Sequence, residues 1–162
     1  MSASIALDLL KGHLNWSMTD LSRQSGVSRT LIYYYFGKSK EDIFRQSIEY
    51  FTSEIFDTRP EVARKLAEGD IINMIKTTRK NLREHPHLVV IYSNYRMKQS
   101  ELGKAFIKAE KKYLEMLETS LPTKWKPFTR NIFDFILGLT LLPVLSEDDF
   151  IQAEKFLKRF WK

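Results

Sequence analysis

Arg29, Thr30, Leu31, Tyr33, Tyr34 and Tyr35 crowd into one short stretch that contains no acid. That set suits duplex DNA. An arginine can bond a guanine edge with two N–H groups, hydroxyls reach phosphate oxygens, and a leucine fits a thymine methyl. The competing reading is packing inside a helical bundle. Successive residues of a helix point about 100° apart, so a short helix cannot bury three consecutive tyrosines. At least one phenol must face outward, where it seeks an acceptor such as phosphate.

The elements that would position this set are legible around it. Ser17 stands three residues before Asp20, the spacing of a hydroxyl cap and an acid that reaches back to it. A helix is predicted over Met18–Ser25 and a second over Arg29–Phe36, with only Gly26, Val27 and Ser28 between them. Gly26 can take the positive φ that ends a helix sharply, and Ser28 can cap the next one. Ser22, a small residue, lies where the two helices would cross. Leu21, Val27, Ile32 and Phe36 are expected to point inward and tie the pair together. This is a helix-turn-helix whose second helix is free to enter a major groove.

Strand signals are almost missing, and the expected class is all-α: a three-helix head followed by a helical bundle. The other helices are predicted over Ala3–Lys11, Lys40–Asp57, Pro60–Glu68, Ile71–Glu84, Pro86–Tyr95, Glu101–Thr119, Phe128–Leu142 and Glu147–Trp161, with Pro122–Pro127 as a linker. Residues 1–50 are expected to form the DNA-binding domain and 51–162 a second helical domain.

Other chemistries are poorly served. The 162 residues contain no cysteine, which removes thiolate metal sites, disulfides and cysteine nucleophiles. His85 and His87 flank Pro86 at a helix start and lack a nearby carboxylate cluster, so they are expected to be solvated rather than metal ligands. There is no Ser/His/Asp arrangement, no paired-carboxylate motif and no phosphate-cradling glycine loop, so enzyme activity is not expected, and no cofactor or metal is called for. The formal charge is +6. It permits a polyanionic partner without demanding one, because the first fifty residues are nearly neutral. The basic series Lys76, Arg79, Lys80, Arg83 and Lys104, Lys108, Lys111, Lys112 are expected to be solvated helix faces. No membrane segment is expected, and a soluble cytoplasmic protein is the default.

The capped Ser17-x-x-Asp20-Leu21, the Gly26-Val27-Ser28 turn and the Leu31-Ile32-Tyr33-Tyr34-Tyr35-Phe36 end of the second helix closely resemble the DNA-binding head of the TetR family of bacterial transcriptional regulators. The resemblance covers about the first fifty residues. It implies that Ser17, Met18 and Thr19 approach backbone phosphate and that Ser28, Arg29, Thr30 and Leu31 meet the groove. It further implies that Tyr33 and Tyr35 brace phosphates, with Tyr34 nearer the base edges. A lysine after the recognition helix would meet a further phosphate, and Lys38 and Lys40 are both candidates.

Beyond the head, Phe128–Leu142 carries apolar residues on nearly every side, more than one core can use. Soluble monomers avoid so large an exposed apolar face. Ile132, Phe135, Ile136 and Leu139, with Phe150, Ala153, Leu157 and Phe160 of the last helix, are expected to pair with a second copy across a two-fold axis. Gly138 could let helices approach closely. The resemblance implies the same homodimer, and such a dimer would read a palindromic operator with half-sites about 34–36 Å apart. It also implies a small-molecule pocket between head and interface. Met74, Val89, Tyr92, Tyr95, Phe106, Tyr113, Trp125 and Phe133 are its candidate lining, and their character suggests an apolar or aromatic effector. The function expected is a ligand-responsive repressor. The alternative is a DNA-binding adaptor, of nucleoid or cell-division type, whose body takes a protein partner.

Overall fold

The computed structural model describes residues 1–142 and 145–161, without the side chains of residues 87 and 159–161. Among the described residues there is no strand, as the missing alternation predicted. The chain divides into two compact units, Met1–Thr52 and Ser53–Lys162.

The first unit holds α1 (Ser2–Lys11), α2 (Met18–Ser25), α3 (Arg29–Phe36) and most of α4 (Lys40–Ile55). Its core is made by Ile5, Leu7, Trp16, Leu21, Ile32, Ile43, Phe44, Ile48 and Phe51, all nearly sealed from solvent. Two serines sit inside this core. The Ser4 hydroxyl donates to Ser47 Oγ at 2.7 Å, and Ser47 donates to the Ile43 carbonyl at 2.7 Å, so neither is left unsatisfied. α2 and α3 start and stop on side-chain chemistry. Ser17 Oγ accepts from the Asp20 N–H while the Asp20 carboxylate accepts from the Ser17 N–H, and Gly26 ends α2 at φ 69°.

The second unit holds α5 (Pro60–Ala67), α6 (Ile71–Glu84), α7 (His87–Tyr95), α8 (Glu101–Ser120), a 3-10 helix (Thr123–Phe128), α9 (Thr129–Leu141) and α10 (Glu147–Trp161). The expected linker over Pro122–Pro127 is thus wound into a 3-10 turn, which Pro tolerates because it lacks only a donor. α6 packs on α9 and α10, α5 on α6 and α8, and α8 on α7 and α9. An aromatic cluster fills the middle: Phe56 lies 5.7 Å from Tyr92, 5.9 Å from Tyr113 and 6.1 Å from Phe133, ring centre to ring centre. α8 begins against the preceding turn so closely that a Cβ on Gly103 would sit 2.0 Å from the Lys98 carbonyl oxygen and 2.6 Å from that of Tyr95. Only glycine fits there.

Two charged groups are built into this unit. Glu110 accepts from the Tyr92 hydroxyl at 2.7 Å and forms a two-pronged pair with the Arg96 guanidinium, which closes α7 onto α8. Burial and the adjacent Glu110 carboxylate push the Tyr92 phenol well above the ordinary tyrosine range. Arg79 corrects the expectation of a solvated basic face. It is buried, and its Nη1 donates to the carbonyls of Leu139 and Leu142, both at 2.7 Å, with Thr140 at 3.3 Å. A cation thereby satisfies the open carbonyls at the C-terminal end of α9, where the helix dipole favours it. Lys76 of the same series pairs with Glu147 and lies over the Phe150 ring. Lys80 and Arg83 remain on the outside, as do Lys104, Lys108, Lys111 and Lys112 of α8.

Candidate nucleic-acid interface

α3 is a two-turn helix that buries a single side chain, Ile32. Everything else it carries is half-exposed or exposed. Tyr34 is 79% exposed and Tyr35 68%, with Leu31 at 48%; Arg29 and Thr30 are also outside, and Tyr33 is half-buried. The two outer phenol rings meet edge to face at 4.9 Å, which holds them as a pair. The tyrosines are therefore not consumed by packing. A helix face of arginine, threonine, leucine and phenols, without an acid, stands open to a partner.

The turn that leads into α3 is set by hydroxyls. Ser22 donates to the Val27 carbonyl at 2.8 Å, Ser25 Oγ accepts from the Val27 N–H at 3.2 Å, and Ser28 Oγ accepts from the Leu31 N–H at 3.3 Å. Val27 departs from the expectation that it points inward. With its backbone pinned on both sides, its side chain stays 38% exposed at the mouth of a cavity of about 50 Å³ beneath α3, lined by Leu21, Ile32 and Ile43.

Ser17 and Thr19 are exposed at the start of α2, and Met18 is half-buried. Asp20 is held well below the usual carboxylate range, first by the Lys11 ammonium and then by the Ser17 N–H and hydroxyl. The loop before α2 turns around Asp8. Its carboxylate accepts from the Leu14 N–H at 2.7 Å and the Trp16 indole at 3.2 Å, and lies 3.2 Å from His13 Nδ1. Lys38 is exposed, whereas Lys40 is half-buried and donates to the Leu14 carbonyl at 2.6 Å.

The body residues singled out from sequence separate into groups. Met74, Tyr113 and Phe133 do line one cavity, together with Ile55, Phe56, Ile75, Thr78, Ile136, Leu137 and Thr140. It has a volume of about 20 Å³, room for one water. Val89, Tyr92, Tyr95, Phe106 and Trp125 do not line it. Phe106 is fully buried against Tyr92, whose hydroxyl is committed to Glu110; Lys98 lies over the Tyr95 ring at 4.3 Å, and Trp125 packs on Phe128 at 5.8 Å. Val89 is half-buried on α7. Thr78 and Thr140 also line the cavity, and an apolar stripe in the sequence does not reveal them because they are polar.

Of the residues expected on a dimer face, Ile136, Phe150, Ala153 and Leu157 belong instead to the chain's own core, where α9 and α10 cover α6. Ile132, Phe135 and Leu139 are half-buried, Phe135 touching Phe156 at 5.6 Å, and the Phe160 side chain lies outside the described residues. Phe128 and Leu142, each 50% exposed, extend that row. The spacing 128, 132, 135, 139, 142 alternates four and three, a helix-seam signal that could have found both ends.

No helix among the described residues is long and apolar enough to cross a membrane. Neither the curated proteins nor the solved structures contain a match to this chain. Residues 2–46 match the family model described as "Bacterial regulatory proteins, tetR family". The match covers α1, α2, α3 and the start of α4, the elements that build the exposed tyrosine face. The head is similar to the TetR-family helix-turn-helix domain, and that match supports a DNA-binding transcriptional regulator.

Proposed function

We propose that the chain is a homodimeric, ligand-responsive repressor that lays α3 into the major groove of a palindromic operator. The observation that carries this reading is the outward pair Tyr34 and Tyr35 beside Arg29, Thr30 and Leu31. Arg29 supplies base discrimination, Leu31 an apolar contact, and Tyr33, Tyr34 and Tyr35 phosphate or base-edge contacts, while Ser17, Thr19 and Ser28 present hydroxyls from the neighbouring helix starts. Met18 shares the start of α2.

The dimer is supported by the row Phe128, Ile132, Phe135, Leu139 and Leu142, which runs along α9 and its two flanking residues. Gly138 adds to this: a Cβ there would meet nothing within 4 Å among the described residues, so the backbone is open to a close neighbour. Regulation would follow from population shift. An effector that prefers one arrangement of the heads lowers operator occupancy by the ratio of its two affinities.

One observation favours the second reading, an adaptor whose body binds a protein. The cavity that Met74, Tyr113 and Phe133 line, about 20 Å³, is far below the roughly 300 Å³ or more of a small-molecule site. An effector seated there would have to open it, whereas a protein partner need not. Selection of bound fragments from genomic DNA tests the core of the proposal, and recovery of a palindromic motif is expected. Light scattering tests the dimer; a clean species at the 19.2 kDa chain mass would refute it. Thermal-shift screening against apolar and aromatic compounds, beside pull-down, separates effector from protein partner.

A further inference from the structure

The turn between α3 and α4 offers two lysines, and the structure gives them different surroundings. Lys38 is exposed and makes no hydrogen bond or ion pair among the described residues. Lys40 reaches back across 26 residues to donate a part-buried hydrogen bond to the Leu14 carbonyl at 2.6 Å. Leu14 is itself unusual. It sits at φ 55°, the one non-glycine residue with positive φ among the described residues. That conformation is strained for a residue with a Cβ and persists only where surroundings over-determine it.

The surroundings do so from two sides. Asp8 accepts from the Leu14 N–H at 2.7 Å, and Lys40 donates to the Leu14 carbonyl. The same Asp8 oxygen takes the indole N–H of Trp16, which is 1% exposed. The next residue, Ser17, is the cap of α2. Leu14 lies three residues before that cap, so the set of this loop bears on where the exposed start of α2 sits.

We infer that Lys40 is a positioning residue, a strut that locks the strained Leu14 loop and thereby aims the start of α2, and that Lys38 is the cation this turn offers to a phosphate. The second half rests on the DNA reading above; the first does not. A side chain tied to a carbonyl in a part-buried site loses the freedom to follow a phosphate. Lys38, exposed on the surface, keeps that freedom.

Lys38→Ala and Lys40→Met separate the roles with a mixed-sequence 30-base-pair duplex as probe and hydrogen exchange on the protein alone. Each phosphate neutralised adds about 0.9 to the slope of log affinity against log salt. Lys38→Ala should therefore lower that slope by about 0.9 per head and leave exchange over residues 13–17 unchanged. Lys40→Met should weaken binding at constant slope and speed exchange of the Leu14 amide about ten-fold, the worth of one charge-assisted hydrogen bond. Leu14→Gly in the Lys40→Met background should recover affinity, since glycine accepts positive φ at no cost. The inference is overturned if Lys40→Met lowers the slope as a phosphate contact would, or if Leu14 exchange stays at the wild-type rate. A wild-type protein that ignores the duplex would bring down the DNA reading and the role of Lys38 with it. The strut would still stand or fall on the exchange rate.

Discussion

The head and the body treat their polar and aromatic side chains in opposite ways. In the body, phenols and charges are turned inward: Tyr92, Tyr113, Glu110 and Arg79 are buried and, apart from Tyr113, bonded to named partners. In the head, Tyr34 and Tyr35 face solvent, and the hydrogen-bonding effort goes into the ends of short helices. The body uses those groups for cohesion. The head keeps them for a partner and relies on serine caps, a glycine corner and the Asp8 cluster to hold its shape.

The sharpest way to break this contrast is to truncate a body residue and find no cost. Glu110→Ala strands the Arg96 guanidinium and the Tyr92 hydroxyl. It should destabilise the body by about 3 kcal/mol, the lower end for a broken buried pair because Arg96 retains some solvent contact. Denaturant unfolding measures this, and a loss below about 1 kcal/mol would contradict it. The mirror experiment is Arg29→Ala in the head. Operator discrimination should fall by about 1–3 kcal/mol in competition binding, while the melting midpoint stays within the spread of ordinary surface changes. A marked drop in melting would mean that the exposed face is structural after all.

Smaller effects sharpen the account of how the head holds itself. Ser17→Ala removes the hydroxyl that caps α2 and should cost about 1 kcal/mol of stability. Asp20 gives the finest handle. Its carboxyl is depressed in the folded protein, so its contribution is complete above the ordinary value of 3.8 and drains away as pH falls below it towards the folded value. Melting followed from pH 6 downward should show the wild type losing an advantage over Asp20→Asn below about pH 4. Parallel curves would show that the carboxylate contributes nothing beyond its shape.

Much of the head was legible in the chain itself. The Ser17–Asp20 spacing, Gly26 and Ser28 are local devices whose partners lie within four residues, so α2 and α3 were placed correctly. The exposure of the tyrosines followed from helix geometry alone. What failed was long-range. Arg79 looked like one step of a solvated basic series because nothing near it in sequence announces that the end of α9, some sixty residues on, needs a cation. Ile136, Phe150, Ala153 and Leu157 read as spare apolar surface because periodicity shows that a helix has two greasy sides, and not which one meets α6. The Lys40–Leu14 bond was invisible for the same reason, and with it the difference between two neighbouring lysines.

Gly103 bears on how the body can move. With two carbonyl oxygens closer than a single methyl would allow, α8 is keyed to the turn before it like a bolt in a slot. Sliding α8 lengthwise would bring a bulkier neighbour into a gap that admits only hydrogen. Any remodelling of the interior must therefore come from tilting about that fixed point or from elements other than α8. A lone alanine at this position would jam the mechanism at its pivot.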